Sequence, residues 1–164
     1  MFLDHQEIHQ LSHRREEENL RFRSFLKGQN SARIDRMVHQ LYSSVSKEID
    51  CTQCGYCCTQ LRPVIMEIDI DLLTKTLKLS REKFKKKFII LDDEGDMLLK
   101  HLPCKFLKNQ KCTVYESRPR DCQSYPHLHK SDITSRLYVI LENYGICPIV
   151  FNVIEELKIR LNFR

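Results

Sequence analysis

Four cysteines fall within eight residues, Cys51-Thr52-Gln53-Cys54-Gly55-Tyr56-Cys57-Cys58, and four more follow at Cys104, Cys112, Cys122 and Cys147. Two intervening residues between successive sulfurs let a turn aim Cys51, Cys54 and Cys57 at one point, and the usual occupant of such a point is a metal. Zinc takes four such ligands in a tetrahedron, with Zn–S near about 2.3 Å. An iron–sulfur cubane takes four thiolates around a larger body, and its bacterial signature is a C-x2-C-x2-C run completed by a remote Cys-Pro. Cys51, Cys54 and Cys57 match the run, and Cys147-Pro148 supplies the remote pair. Structural zinc sites use distant pairs as well, so both metals stay open on spacing.

Cys147 has a further property. With Pro148 as the first residue of a helix, Cys147 sits at that helix's N-terminus, where free N–H groups and the helix dipole favour the thiolate. The alternative is a buried cysteine that only caps the helix. Cys104, Cys112 and Cys122 share the stretch from Pro103 to Pro126 with three prolines, among the cations Lys105, Lys111, Arg118 and Arg120. Cations favour thiolates. These three with Cys58 can make a second four-ligand site; alternatively one centre uses some of the eight and the rest are supporting or redox thiols. With eight cysteines present, His101, His127 and His129 are not needed as ligands, and His5, His9, His13 and His39 are expected on solvated helix faces.

The 164 residues suit a modest core, and 41% hydrophobic with 30% charged residues describe a folded, water-soluble chain. No apolar run approaches the roughly 18 residues of a membrane span. Met1 to Gln6 lack the basic-then-apolar pattern of a secretory leader, so the expected compartment is cytoplasmic. Stable disulfides are uncommon there, and eight cysteines then read as ligands or redox groups; the even count is what keeps a disulfide framework as an alternative. A four-thiolate site around a divalent ion carries two negative charges, so one site takes the formal charge from +5 to +3. Much of the basic excess can balance such a centre, and nucleic acid ranks low as a partner because Lys and Arg are interleaved with acids. A protein partner is compatible with the charged faces but has no specific motif. There is no G-x-S-x-G and no phosphate loop, and four glycines exclude a dinucleotide fingerprint, so no catalytic activity is assigned.

The elements that must position the sulfurs are mainly helical. A long polar helix is predicted over 4–27, stopped at Gly28, with Arg14 to Glu18 on a wet face. A second, capped at Asn30 or Ser31, carries Ile34, Met37, Val38, Leu41, Val45 and Ile49 at helical spacing. These form an N-terminal helical hairpin, residues 1–49, followed by a cysteine-cluster metal-binding domain over 50–164 that ends in a helix; the two are expected to make one compact unit. Within the second, Asp69 and Ser80 are read as helix caps, and Asp92-Asp93-Glu94-Gly95 as the turn of a small β-hairpin between 88–91 and 97–102. The stretch 103–126 is an irregular cysteine-rich centre. A helix over 132–143 is ended by Gly145, and a last helix from Pro148 buries Val150, Val153, Ile154, Leu157 and Leu161 on one face.

The string Cys51-x-x-Cys54-x-x-Cys57-Cys58 resembles the defining motif of the YkgJ-type CxxCxxCC cysteine-cluster family. Pro103-Cys104-Lys105-Phe106-Leu107, then Cys112-Thr113-Val114-Tyr115-Glu116-Ser117-Arg118-Pro119, Cys122 and Tyr125-Pro126 resemble its second block, and Cys147-Pro148 its closing cysteine, over about residues 50–150. The resemblance implies chelation of zinc or iron through Cys51, Cys54, Cys57, Cys58, Cys104, Cys112, Cys122 and Cys147. It also implies roles for Tyr115 (a donor to sulfur or a core filler), Arg118 (a partner for a carboxylate or acidic cluster) and Pro119 (the turn into Cys122). A related cysteine domain occurs in flagellin lysine methylase, where similarity suggests an iron–sulfur centre; methylation is not carried over, because no S-adenosylmethionine site is recognisable here. An iron–sulfur cluster is preferred to Zn2+, with a redox or protein-modifying enzyme as the alternative to a metal-binding module.

Overall fold

The computed structural model describes all residues, 1–164. In chain order the helices are α1 His5–Arg14, α2 Glu16–Lys27, α3 Ser31–Glu48, α4 Cys51–Cys54, α5 Cys57–Gln60, α6 Glu67–Leu77 and α7 Arg81–Phe88. Strands β1 Ile89–Leu91, β2 Met97–Leu99, β3 Leu107–Lys108 and β4 Lys111–Cys112 follow, then α8 Arg120–Ser124, α9 Leu137–Glu142 and α10 Pro148–Arg160. Short 3-10 turns stand at Tyr115–Ser117, Ile133–Ser135 and Asn143–Gly145. The fold is mainly α with two small antiparallel strand pairs. No single helix is long and apolar enough to cross a membrane. Contacts divide the chain into two units, Met1–Asp50 with Pro126–Arg164, and Cys51–Tyr125.

In the first unit the stripe Ile34, Val38, Leu41 and Val45 is buried on α3, as its spacing predicts, and α3 packs on α10. Asn30 caps α3 by accepting the Arg33 N–H at 2.9 Å. Pro148 opens α10 with Cys147 at its N-cap. The single face expected for this last helix is too narrow: Pro148 to Ile154, Leu157 and Lys158 are all buried, while Leu161 is only half-buried. It is the central helix of the unit and needs apolar groups on every side. The predicted helix over 4–27 is broken at Arg15, whose backbone (φ −103°, ψ 13°) ends α1 before α2 begins. The break lets α1 pack on the Asn143–Gly145 turn while α2 packs on α9 and the Ile133–Ser135 turn. Nor are Arg14 to Glu18 all on a wet face. Arg15 is ion-paired to Glu155, and Glu18 Oε1 accepts from the buried Lys158 Nζ at 2.7 Å. The predicted helix over 132–143 is likewise split, into the Ile133–Ser135 turn and α9, with Asp132 left-handed at φ 57° and Arg136 non-helical at φ −101°, ψ 10°. Asp35 holds that entry by accepting both the Asp132 and Ile133 N–H groups at 2.9 Å.

In the second unit, Ser80 caps α7 by accepting the Lys83 N–H at 3.3 Å, as expected. Asp69 is not the cap of α6. Met66 is, and Asp69 closes the first turn from inside it, with Oδ2 accepting the Met66 N–H at 2.9 Å. The hairpin forms with Ile89 opposite Leu99 and Leu91 opposite Met97. Ile65, Ile70, Leu73, Phe84, Phe88, Leu99, Phe106 and Val114 make the apolar core, and Cys104 and Cys112 pack against its edge. The stretch 103–126 is irregular apart from β3, β4, one 3-10 turn and α8.

Candidate metal centre

Seven cysteines lie in the second unit, and short elements carry six of them: Cys51 and Cys54 on α4, Cys57 and Cys58 on α5, Cys112 on β4, Cys122 on α8. Gly55 makes the bend between the first two. Its φ is +61°, and a Cβ there would stand 2.7 Å from the Gln110 carbonyl oxygen and 3.2 Å from Leu107 Cδ1. Glycine is therefore required twice over, for the left-handed backbone and for the close approach of the β3–β4 turn. α4 packs on β4, which carries Cys112. The Cys104 N–H donates to the Cys58 carbonyl at 2.8 Å, tying the second cysteine block to the first.

Asp69 fixes the third approach. It is fully buried, and besides Met66 it accepts the Arg120 N–H at 3.1 Å, so α8 and its Cys122 are pinned to the start of α6. Asp121 adds a further tie, its Oδ2 accepting the Val64 N–H at 3.1 Å. Sequence reasoning missed the role of Asp69 as an anchor, because the Arg120 it holds is remote in the chain.

The thiols of Cys58, Cys104, Cys112 and Cys122 influence one another electrostatically, so the backbone brings these four into one neighbourhood. The Cys57 thiol hydrogen-bonds Cys58 and holds it down at about 7 against the opposing effect of burial. Burial pushes Cys104 up, opposed by the Phe106 and Leu107 N–H groups directed at its sulfur. Burial also pushes Cys112 up, opposed by the Val114 N–H and by the Arg118 charge. Cys122 is pushed up to about 12, first by burial and then by negative charge on Cys58, Asp121, Cys104 and Cys112. Burial is thus the leading cause for Cys104, Cys112 and Cys122, with mutual repulsion of the sulfurs added to it. A divalent ion would reverse the repulsion, and N–H groups directed at sulfur stabilise a bound thiolate.

The donor set fits zinc or iron–sulfur chemistry, since clustered soft thiolates select those centres. No three cysteine, histidine or carboxylate side chains are arranged to hold one ion in this structure. No disulfide joins any of the eight cysteines. Cys51 is exposed; Cys54, Cys57 and Cys58 are half-buried. Cys147 lies in the other unit, 6% exposed at the start of α10. Neither role expected for Tyr115 holds in this structure: the residue is 38% exposed, and its ring lies against the Arg118 guanidinium at 3.7 Å. Arg118 also donates to the Tyr115 carbonyl at 2.8 Å, and its charge favours the Cys112 thiolate. Pro119 leads directly into α8, as expected. His101 and His129 are exposed, and His127 is half-buried.

A scan of family models matches residues 50–140 to the family described as "CxxCxxCC: Putative zinc- or iron-chelating domain". Searches of the curated proteins and of the solved structures found no match. The matched span exceeds half of the chain, takes in all seven cysteines of the second unit and ends before Cys147. By that match, and by the motif that α4 and α5 carry, the chain belongs to the CxxCxxCC family.

Proposed function

We propose that the clustered cysteines hold an iron–sulfur cluster, in a protein whose cysteine unit is organised by that centre. One observation carries the thiolate centre: Cys58, Cys104, Cys112 and Cys122 share one neighbourhood, with backbone N–H groups directed at two of the sulfurs. The choice of iron–sulfur over zinc rests on the C-x2-C-x2-C run of Cys51, Cys54 and Cys57. Cys58, Cys104, Cys112 and Cys122 would hold one centre, and the run Cys51, Cys54 and Cys57 would supply ligands to a second. When bound, such a cluster supplies structural cross-linking and one-electron chemistry. The protein's own share is to place the thiolates, to screen them with Arg118 and backbone N–H groups, and to exclude water at the apolar edge formed by Phe106 and Val114.

A second reading, a redox or protein-modifying enzyme working through the cluster, is favoured by the exposure of Cys51, which gives a partner direct access to a centre that residue ligates. Anaerobic purification with iron, sulfide and zinc analysis and a visible spectrum tests the first reading. Brown protein with iron and labile sulfide is expected, and colourless protein with zinc alone would replace the cluster by a structural zinc site. Alkylation of the loaded protein tests the second: complete shielding of all eight thiols rules it out.

A further inference from the structure

The first unit contains a cleft of 440 Å³ between α1, α2 and α9, remote in chemistry from sulfur. His9 and His13 stand one helical turn apart on α1, and both line it. Their Nε2 atoms are 3.3 Å apart, with the rings nearly perpendicular at 73°. A tetrahedral cation bound at about 2.0–2.1 Å from each imidazole nitrogen requires those nitrogens about 3.3–3.4 Å apart. The pair therefore already has the bite of a zinc-type ion. Glu16, at the start of α2, and Glu142, at the end of α9, carry exposed carboxylates on the same wall.

The walls of the cleft also carry two polar side chains with buried, unpaired atoms. Asn19, only 6% exposed, lines it, and its Oδ1 has no hydrogen-bond donor. Arg23, also on the wall, has a buried Nε–H with no acceptor. Polar atoms left unpaired in a protein interior are costly unless something fills the gap.

We propose that His9 and His13 form a nitrogen–oxygen site for a divalent zinc-type cation, completed by Glu16 or Glu142, with its remaining position open to water in the cleft. Imidazole and carboxylate suit such ions, and a site with three protein ligands and one water is the open form of zinc coordination. The third donor is not within ligand range of the pair in this structure. It arrives by rotation of one glutamate side chain. This site is independent of the thiolate centre and stands whether that centre holds iron or zinc.

The test is calorimetric titration of the full chain with Zn2+ after its thiolate centre has been loaded. One further equivalent should bind. His9→Gln and His13→Gln should each weaken that step by at least about tenfold, the loss that even outer-shell partners cause. The double variant should abolish it while leaving the metal content and spectrum of the thiolate centre unchanged. Imidazole nitrogen NMR should show the His9 and His13 resonances moving on Zn2+ addition, with His39 as the unmoved control. Either Glu16→Gln or Glu142→Gln should weaken the step; silence of both overturns the three-ligand form. An unchanged further equivalent in the double histidine variant, or no further equivalent in the parent chain, overturns the proposal. Both histidines are exposed, so their replacement leaves the fold intact, which far-UV circular dichroism checks.

Discussion

Two residues that carry no sulfur decide whether the cysteine neighbourhood exists. Gly55 is one. An alanine there adds left-handed strain to a Cβ–oxygen contact of 2.7 Å with the backbone of Gln110, which cannot swing aside. Gly55→Ala should cost about 2–4 kcal/mol, against about 1 kcal/mol for Gly95→Ala, where φ is +88° but nothing lies within 4 Å of the added Cβ. Urea denaturation of the two variants side by side checks the difference. Asp69 is the other. Its buried carboxylate serves the N–H groups of Met66 and Arg120, so Asp69→Ala strands two donors and should cost about 3 kcal/mol. Asp69→Asn keeps one acceptor oxygen and should recover only part of that loss in the same measurement.

At the scale of elements, a buried ion cluster joins α1, α2 and α10. Lys158, 4% exposed, donates from Nζ to Glu18 Oε1 at 2.7 Å and to Glu155 Oε1 at 2.9 Å. Glu155 also accepts from the Tyr144 hydroxyl at 2.7 Å and pairs with Arg15 at the break between α1 and α2. Burial, and then the Glu155 charge, push the Tyr144 hydroxyl well above the ordinary phenol range, so it stays a donor. Removing one member of a buried cluster costs more than the cluster contributes net, because the remaining charge stays desolvated. Glu155→Ala, which leaves Lys158 with Glu18 alone, should therefore cost about 3–5 kcal/mol by thermal denaturation. Lys158→Met should cost distinctly less, since the Phe22 and Tyr144 rings already lie beside its Nζ position and its carboxylate partners are less buried. The first turn of α1 adds a pH dependence. Burial holds His5 below its ordinary 6.5, partly opposed by Asp4. A base whose folded pKa is depressed is folded in its neutral form. Its contribution is whole above 6.5 and is lost as the pH falls through the depressed value. Stability should thus decline below about pH 6.5, and His5→Gln should flatten part of that decline in denaturation midpoints taken across the range.

At the scale of the molecule, the two units differ in what holds them. The first has α10 buried nearly all round, with α3 against it. The second rests on eight buried apolar residues, with the cysteines mostly on helices and a strand of five residues or fewer. Removing metal with a chelator should therefore strip amide-exchange protection from 51–62 and 104–125, while α3 and α10 keep theirs. Equal loss in both units would show that the metal supports the whole chain. Local signals in the sequence were reliable where the physics was local. Asn30, Ser80 and Pro148 announce helix starts because each acts within one turn of itself, and Gly55 announces a bend through its own left-handed backbone, though not the approach of Gln110 that also requires it. The break at Arg15 was hidden because its ion-pair partner, Glu155, stands at the other end of the chain. Asp69 looked like a cap because Arg120, its second partner, is equally remote. The four-residue company of Cys58, Cys104, Cys112 and Cys122 was open to more than one partition until backbone bonds such as Cys104 to Cys58 were known. Sequence alone therefore determined the chemistry on offer, soft sulfur donors in a family pattern on a mainly helical chain, because residue type and spacing within a turn are written directly in it. Which sulfurs meet, where the long helix breaks and which polar groups line a cleft were decided only by tertiary structure, because those outcomes depend on partners that packing, not spacing, brings together.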